Sequence, residues 1–369
     1  MTSLRLLADD LTGALDTAAE LVGITGPVHV FWHGAIPSAL PPNAALDSGT
    51  RELDCGAAVR RVTELTSALT GAGIAFKKID SLMRGPTLAE VAACFRTGAW
   101  THAILAAAFP YQGRITRKGV QHAREAAGNW TAVGDDIVQV LRREAVLAQA
   151  GRVSSELAPG ITVFDAETDE DLHRIAALGK EAAHPVLWIG TGGLAQALAA
   201  GAPGEARLPL VPPVLGLFGS DQPVTAGQLA ACGPDWLKLS DDGPAASMSV
   251  ATQLEARGRA LISVDLPDDL SRAEATNRIG LQLHRLTEDL PAPGTLVVAG
   301  GETLRGLCLS LGASSLEVQG RIVPGLPRSV MHGGRWDGVV VLSKSGAFGP
   351  PNLLRDLLRS THPVTERTV

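Results

Sequence analysis

A single tyrosine, six tryptophans and seven phenylalanines among 369 residues leave little aromatic surface. Stacking of bases on aromatic side chains is the usual way to hold single-stranded nucleic acid, so that class of function is excluded first. Positive charge is short as well. Against 38 Asp and Glu there are 32 Lys and Arg, a formal net charge of -6, which argues against broad adhesion to nucleic acid or to an anionic membrane. Long hydrophobic runs are missing: stretches such as Ala103–Phe109 fall far below the roughly 18 residues of a membrane span. The chain reaches Asp9 without a basic-then-apolar leader, and a cytoplasmic location is the expectation. The four cysteines, Cys55, Cys94, Cys232 and Cys308, form no CxxC pair and have no His at metal-ligand spacing. They read as reduced core residues.

What is present is apolar and rich in glycine. Hydrophobic residues make up 45% and charged ones 19% of the chain, close to the globular norm of about 45–50% apolar. Its length, at about 150 residues per domain, predicts two domains. Short aliphatic runs alternate with helix-patterned segments, the pattern of parallel strands joined by crossover helices. The expected strands are Leu4–Ala8, Val28–Trp32, Ala75–Ile79, Ala103–Ala107, Ile161–Phe164 and Val186–Ile189, then Val214–Phe218, Ala260–Val264, Leu296–Ala299 and Val339–Leu342. A stretch with Gly201, Pro203, Gly204, Pro209, Pro212 and Pro213 interrupts the alternation, too rich in breakers to continue either element. The expected architecture is therefore α/β: a domain over 1–205, a linker over 206–213 and a second domain over 214–369. Each domain is a mainly parallel sheet flanked by helices, with the active site in the interdomain cleft.

In open α/β sheets ligands bind at the carboxyl ends of strands, so the turns there are the informative segments. The first strand ends in ADDLTGALD. Asp9 and Asp10 can bind a hydroxyl or act as a base; equally, Asp10 or Thr12 caps the next helix and Asp16 sits at the positive end of its dipole. KKIDSLMRG places Lys77, Lys78, Asp80 and Arg84 after another strand, and Thr87 with Glu90 has capping-box spacing. A guanidinium at Arg84 can grip a carboxylate in a bidentate manner, while Lys78 supplies a point charge; exposed salt bridges are the plainer use of such residues. Arg51 in DSGTR and Arg114 in FPYQGR add cations near the ends of further strands. Converging cations and carboxylates suit a small hydroxylated acid.

The later half differs in kind. GSDQPVTAGQ follows a strand, with Ser220 in the turn and Thr225 and Gln228 at capping-box spacing. AGGETLRG offers Gly300, Gly301, Glu302 and Thr303, and SKSGAFG offers Lys344, Ser345, Gly346 and Gly349. Glycines let backbone N–H groups approach an anion closely, and a single such turn is as well explained by a tight turn needing positive φ. Three in one domain point to phosphate. GTGGLA, from Gly190 to Ala195, fits a dinucleotide pattern, but the acidic residue expected about 20 residues later is replaced by the proline-rich Leu208–Pro213. No G-x-x-x-x-G-K-[ST] loop occurs, so a P-loop fold is unsupported. His29 and His33 flank a strand-like run and read as structural, and AETDEDL, from Ala166 to Leu172, reads as a capped acidic first turn.

Taken together, ADDLTGA, KKIDSLMRG, FPYQGR, GSDQPVTAGQ, GGET and KSGAFG, running from Ala8 to Gly349, resemble the four-carbon acid sugar kinase family. The resemblance implies an N-terminal sugar-acid-binding domain, a C-terminal nucleotide-binding domain and ATP-dependent phosphorylation of the terminal C4 hydroxyl of threonate, erythronate or 3-oxo-tetronate. It suggests Asp9, Asp10, Asp80 and Arg84 near the acid, and Ser220, Gly300 to Thr303 and Gly346 around ATP. The chain departs from the family pattern at Leu82 and Met83 and over Gln121–Asp136.

Phosphoryl transfer depends on positioning and charge stabilisation. On this reading Asp10, or else Asp9 or Asp80, orients or deprotonates the acceptor hydroxyl. Arg84 and Lys78, with Asp9, Arg51, Asp80 and Arg114, surround the acid. The amides of the glycine turns, with Lys344 and Ser345 beside them, hold the nucleotide, and Mg²⁺ bridges its phosphates through protein ligands that the sequence does not identify. The partners are two small molecules, with homo-oligomer formation left open. Two alternatives compete: a nicotinamide-dependent oxidoreductase using GTGGLA, and a sugar-acid-binding protein without catalysis.

Overall fold

The aliphatic runs become strands because branched and aliphatic side chains pack well on a pleated surface buried on both sides. In the computed structural model, which describes residues 2–98, 100–125, 128–153, 156–200, 202, 204–206, 210–219, 222–240, 243–267 and 270–359, each expected strand is present within two residues at either end. The chain divides into two compact units, Met1–Gly204 and Glu205–Val369. Within the expected linker, the Ala206 N–H donates to Arg321 O, Leu210 is buried, and Val211 exchanges hydrogen bonds with Thr295, so these residues belong to the second unit. No helix among the described residues is long and apolar enough to cross a membrane.

The first unit runs β1 (Leu4–Ala8), α1 (Leu11–Thr25), β2 (Val28–Trp32), β3 (Ala44–Asp47), α2 (Cys55–Thr66), β4 (Ile74–Lys78), α3 (Thr87–Thr97), β5 (His102–Ala106), β6 (Arg114–Arg117), β7 (Val120–Arg124), β8 (Trp130–Val133), α4 (Ile137–Arg143), β9 (Ala148–Ala150), β10 (Gly160–Val163), α5 (Asp169–Lys180), β11 (Val186–Gly190) and α6 (Gly192–Leu198). Its main sheet has the order β2-β3-β1-β4-β11-β5-β10-β9 and every pairing in it is parallel. β6, β7 and β8 form a separate antiparallel sheet. Leu7, Leu46 and Ala75 of the main sheet pack with Val62 of α2, Val91 of α3 and Ile137 of α4, while α1, α5 and α6 pack together against the other face. The helix after β1 and the helix after β4 thus lie on opposite faces of neighbouring strands. That is a topological switch point, where a crevice opens at the strands' carboxyl ends.

The second unit runs β12 (Val214–Phe218), α7 (Pro223–Ala230), β13 (Trp236–Leu239), α8 (Pro244–Arg257), β14 (Arg259–Val264), α9 (Arg272–Asp289), β15 (Thr295–Ala299), α10 (Gly301–Leu311), β16 (Ser315–Val323), β17 (Leu326–His332), β18 (Val340–Lys344) and α11 (Leu353–Arg359). The order is β13-β14-β12-β15-β18-β17-β16, parallel as far as β18, with β17 and β16 antiparallel at one side. Leu229 of α7 packs with α11 and with Phe218 and Ala299 on one face, whereas α8, α9 and α10 pack with one another. A second switch point therefore separates β12 from β15.

Several local expectations are corrected. α3 has Pro86 at its N-cap and no side-chain cap, because Glu90 instead pairs with the buried Lys77 ammonium at 2.9 Å. α7 likewise lacks a side-chain cap; Thr225 and Gln228 turn to the 345–350 loop. Asp16 lies beyond the first turn of α1, where the dipole has faded. Cys94, Cys232 and Cys308 are buried free thiols, but Cys55 is exposed at the start of α2. Thr168 and Asp171 do form a capping box on α5.

Candidate active site

In the first unit, three turns leave the carboxyl ends of the adjacent strands β3, β1 and β4, and Arg51 joins them. Asp9 is buried at the end of β1 and takes Arg51 Nε and Nη2 at 2.8 and 3.0 Å. Asp10 takes Nη1 and Nη2 of the same guanidinium at 2.6 and 2.7 Å, and its Oδ1 also caps α1 by accepting from Gly13 N at 2.9 Å. Both readings of Asp10, cap and site carboxylate, fit one side chain. Arg51 Nη2 lies 3.5 Å from Asp80 Oδ1. Asp80 in turn accepts from Arg84 Nε and Nη2 at 2.8 and 2.7 Å and from the backbone N–H groups of Leu82 and Arg84. Those bonds fold the 80–84 turn, in which Met83 takes the left-handed conformation at φ 54°. Gly85, at φ 73°, lets this turn lie against the Arg51 carbonyl, which a Cβ would overlap.

The cations around this lattice differ in how far they are committed. Lys78 is buried and donates to Ile79 O at 2.7 Å; a Cβ on Gly13 would sit 3.1 Å from its Nζ and 2.6 Å from Asp10 Oδ1, so glycine is what allows the two to approach. Arg84 keeps its side chain 58% exposed, and its Nη1 has no protein acceptor among the described residues. Arg114 donates to Gln112 O and Gly113 O, and the charges it feels are those of Asp80 and Arg84, which puts it beside that pair. One residue was not anticipated. Gln121, fully buried, donates to Ser81 O and Ala107 O and accepts from Thr116 Oγ1, pinning the 80–84 turn from the small antiparallel sheet. Nothing in its sequence setting marks it.

Electrostatics separate the carboxylates. Burial alone would raise Asp9, but Arg51, Lys78 and Lys77 hold it below its usual value. Burial pushes Asp80 up less than Arg84 and Arg51 pull it down, so it stays well below the carboxylate range. Asp10 goes the other way, raised by burial and by the adjacent Asp9 in spite of Arg51. Asp16, one turn into α1, is pushed up to about 8 by burial, with Asp10 and Glu20 adding to the effect, and its Oδ1 is buried without a hydrogen-bond partner among the described residues.

In the second unit, Phe218, Ala299 and Lys344 are in register across β12, β15 and β18. The three glycine turns therefore start side by side along the carboxyl edge, at Gly219, Gly300 and Ser345. Ser220 lies outside the described residues. Gly219 packs against Thr303, whose Oγ1 a Cβ would overlap, and Gly300 is left-handed at φ 102°. Glu302 is exposed in the first turn of α10. Ser345 is exposed and Gly346 half-buried. Lys344 departs from the expectation: its ammonium does not face outward with the amides but is buried, donating to Thr225 Oγ1 and to carbonyls of the 345–348 loop.

The GTGGLA turn has no room for a dinucleotide. All of its residues are buried, and its glycines serve close packing: a Cβ on Gly190 would stand 2.6 Å from Ala106 O and one on Gly193 2.7 Å from Ala108 O.

A family model described as a sugar-binding N-terminal domain matches residues 4–142 and 129–198, and one described as a nucleotide-binding C-terminal domain matches 215–354. The chain belongs to the four-carbon acid sugar kinase family. A D-threonate kinase of Cupriavidus necator is 30% identical, with 93% of this chain and 94% of that protein covered. A D-threonate kinase of Bordetella bronchiseptica is 28% identical over 98% and 97%, and a 3-oxo-tetronate kinase of Methylobacterium radiotolerans 28% identical over 94% and 96%. A solved chain from Haemophilus influenzae shares the fold with a TM-score of 0.72 at 17% identity, over 97% of this chain and 100% of that one. The motifs of this kinase family are thus set at the two switch points, the carboxylate and cation turns at one and the glycine turns at the other.

Proposed function

We propose that this protein phosphorylates the C4 hydroxyl of a four-carbon acid sugar, of the threonate, erythronate or 3-oxo-tetronate type, with ATP as donor. The observation that carries the reading is the Arg51 lattice, which draws three turns at the carboxyl ends of adjacent strands into one polar site of carboxylates and cations, the chemistry that recognises a small hydroxylated acid. Relatives named as kinases of three different four-carbon acids support the substrate class.

Within that lattice Asp10 is the acceptor-side base. Asp80 takes four hydrogen bonds and an ion pair with Arg51 and is held ionised, and Asp9 is only 4% exposed at its side chain. Asp10 is 20% exposed, has an acceptor position left on Oδ2 and has a pKa raised by burial and by Asp9, the direction that makes a carboxylate a stronger base. Arg84, with its free Nη1, and Arg114 take the acid's carboxylate, a geometry for which a guanidinium fork is suited. Arg51 neutralises the carboxylates so that a second anion can enter.

On the donor side, the half-buried and exposed glycine turns fit the phosphates of a nucleotide. Glu302, exposed at the head of α10, is the carboxylate among the described residues of these turns that would hold Mg²⁺, and the ion would offset the charge of the transferred group. An ADP-release assay over D- and L-threonate, D- and L-erythronate and 3-oxo-tetronate tests the reading. ADP formation with at least one acid is expected; binding of an acid with no ADP from any of them would leave a non-catalytic sugar-acid binder in its place.

A further inference from the structure

We propose that Lys344 and Thr225 are positioning residues that turn the carbonyls of the 345–349 loop inward and so aim its amides outward at the nucleotide's phosphates. This rests on the nucleotide reading above and assigns Lys344 a role other than direct contact. The Lys344 ammonium, 1% exposed, lies 3.0 Å from Ser345 O, 3.2 Å from Phe348 O and 3.4 Å from Gly346 O. Thr225 Oγ1, fully buried, accepts from Lys344 Nζ at 3.0 Å and donates to Gly346 O at 2.6 Å. Gln228 Nε2 adds a second donor to Phe348 O and one to Pro350 O.

The consequence follows from peptide geometry. The peptide bonds of this loop are trans, and in a trans peptide the N–H points opposite to the C=O of the same unit. With the carbonyls of residues 345, 346 and 348 drawn to one side, the N–H groups of Gly346, Ala347 and Gly349 face the other. None of these three amides has an acceptor among the described residues, whereas the intervening Phe348 N–H is used within the loop, on Ser345 O. Successive outward amides are a nest for anionic oxygen. The Lys344 carbonyl accepts from Gly300 N at 3.0 Å, so the same residue fixes the start of the neighbouring GGET turn. A buried ammonium with no carboxylate partner among the described residues is costly to keep, and holding two turns in register accounts for it.

Calorimetric titration of the intact protein with ATP, together with KM values for ATP and for the acid, tests this on Lys344→Met, Thr225→Val and Thr225→Ser. Lys344→Met and Thr225→Val are expected to weaken ATP about tenfold or more, the scale of a lost charge-assisted hydrogen bond, while the KM for the acid stays as in the parent. Thr225→Ser keeps the hydroxyl and should restore ATP binding, and it decides the matter if Lys344→Met does not fold. Parent-like ATP affinity in Thr225→Val, or equal losses for both substrates, would overturn the inference. A parent protein that takes up no ATP would instead bring down the nucleotide reading.

Discussion

Arg51 shows how one residue sets the character of a site. Its guanidinium serves Asp9 and Asp10 with four hydrogen bonds and reaches Asp80 as well, so removing it leaves three carboxylates facing one another with little water between them. Loss of one partner from a buried ion cluster costs about 3–5 kcal/mol, and Arg51→Ala should lose stability on that scale in urea unfolding along with its acid binding. Arg51→Lys retains the charge but not the fork, and is expected to recover part of the stability and little of the acid affinity. Asp10→Asn should keep the fold and ATP affinity while turnover falls about 10²–10⁴-fold, the range for a lost general base; unchanged turnover would take Asp10 out of the mechanism. Asp16 makes a pH prediction of the opposite kind to an ordinary ion pair. Its folded pKa of about 8 stands above the 3.8 of an unperturbed aspartate, so between those values the folded chain holds a proton that the unfolded chain has released. Stability should therefore fall as pH rises through this window, by up to about 1.4 kcal/mol per pH unit from this group. In Asp16→Asn that component should vanish, which unfolding curves at pH 5, 6, 7 and 8 will register; an unaltered slope would mean that Asp16 is ionised throughout.

At the scale of the element, the turns are built by close approach. Gly85 holds φ 73° and admits no Cβ against the Arg51 carbonyl, so Gly85→Ala should cost about 1–3 kcal/mol and raise the KM for the acid, since the 80–84 turn must withdraw from Arg51. A variant with parent-like KM would show that the turn is free to relax. The same reasoning explains what could be read from the chain before its structure. Parallel strands buried on both faces are continuous aliphatic runs, and VHVFW, VLWIG and VLGLF were plain for that reason. β3 is AALD, too short and too rich in alanine to stand out. β6 to β8 carry arginines, a histidine and exposed faces, and the pairing of β6 with β7 comes from the hairpin turn at Lys118–Gly119 rather than from hydrophobic pattern. β16 and β17 alternate buried and half-buried positions, a period obscured by Gly320 and Pro327. Candidate site residues were legible where a turn follows a strand directly. The destinations of side chains were less so: Thr225 and Gln228 have capping-box spacing, and only the neighbouring 345–350 loop, more than a hundred residues away in sequence, draws them elsewhere.

For the whole molecule, the division of labour between the two units is itself testable. The partners found for Arg84, namely Asp80 and the turn around it, lie in the first unit, and those of Lys344, namely Thr225 and the loop carbonyls, lie in the second. Substitutions that share no partner usually act independently. Arg84→Ala should weaken the acid by about 2–5 kcal/mol if its carboxylate is desolvated on binding, leaving ATP affinity at the parent value, and Lys344→Met should do the reverse. In the double variant each dissociation constant, measured by calorimetry with one ligand at a time, is expected to equal that of the corresponding single variant. A change in ATP affinity on Arg84→Ala alone would place a nucleotide contact in the first unit and reverse the assignment. A double variant weaker for both ligands than either single one would mean that the two sites communicate before chemistry, with a coupling free energy given by the excess.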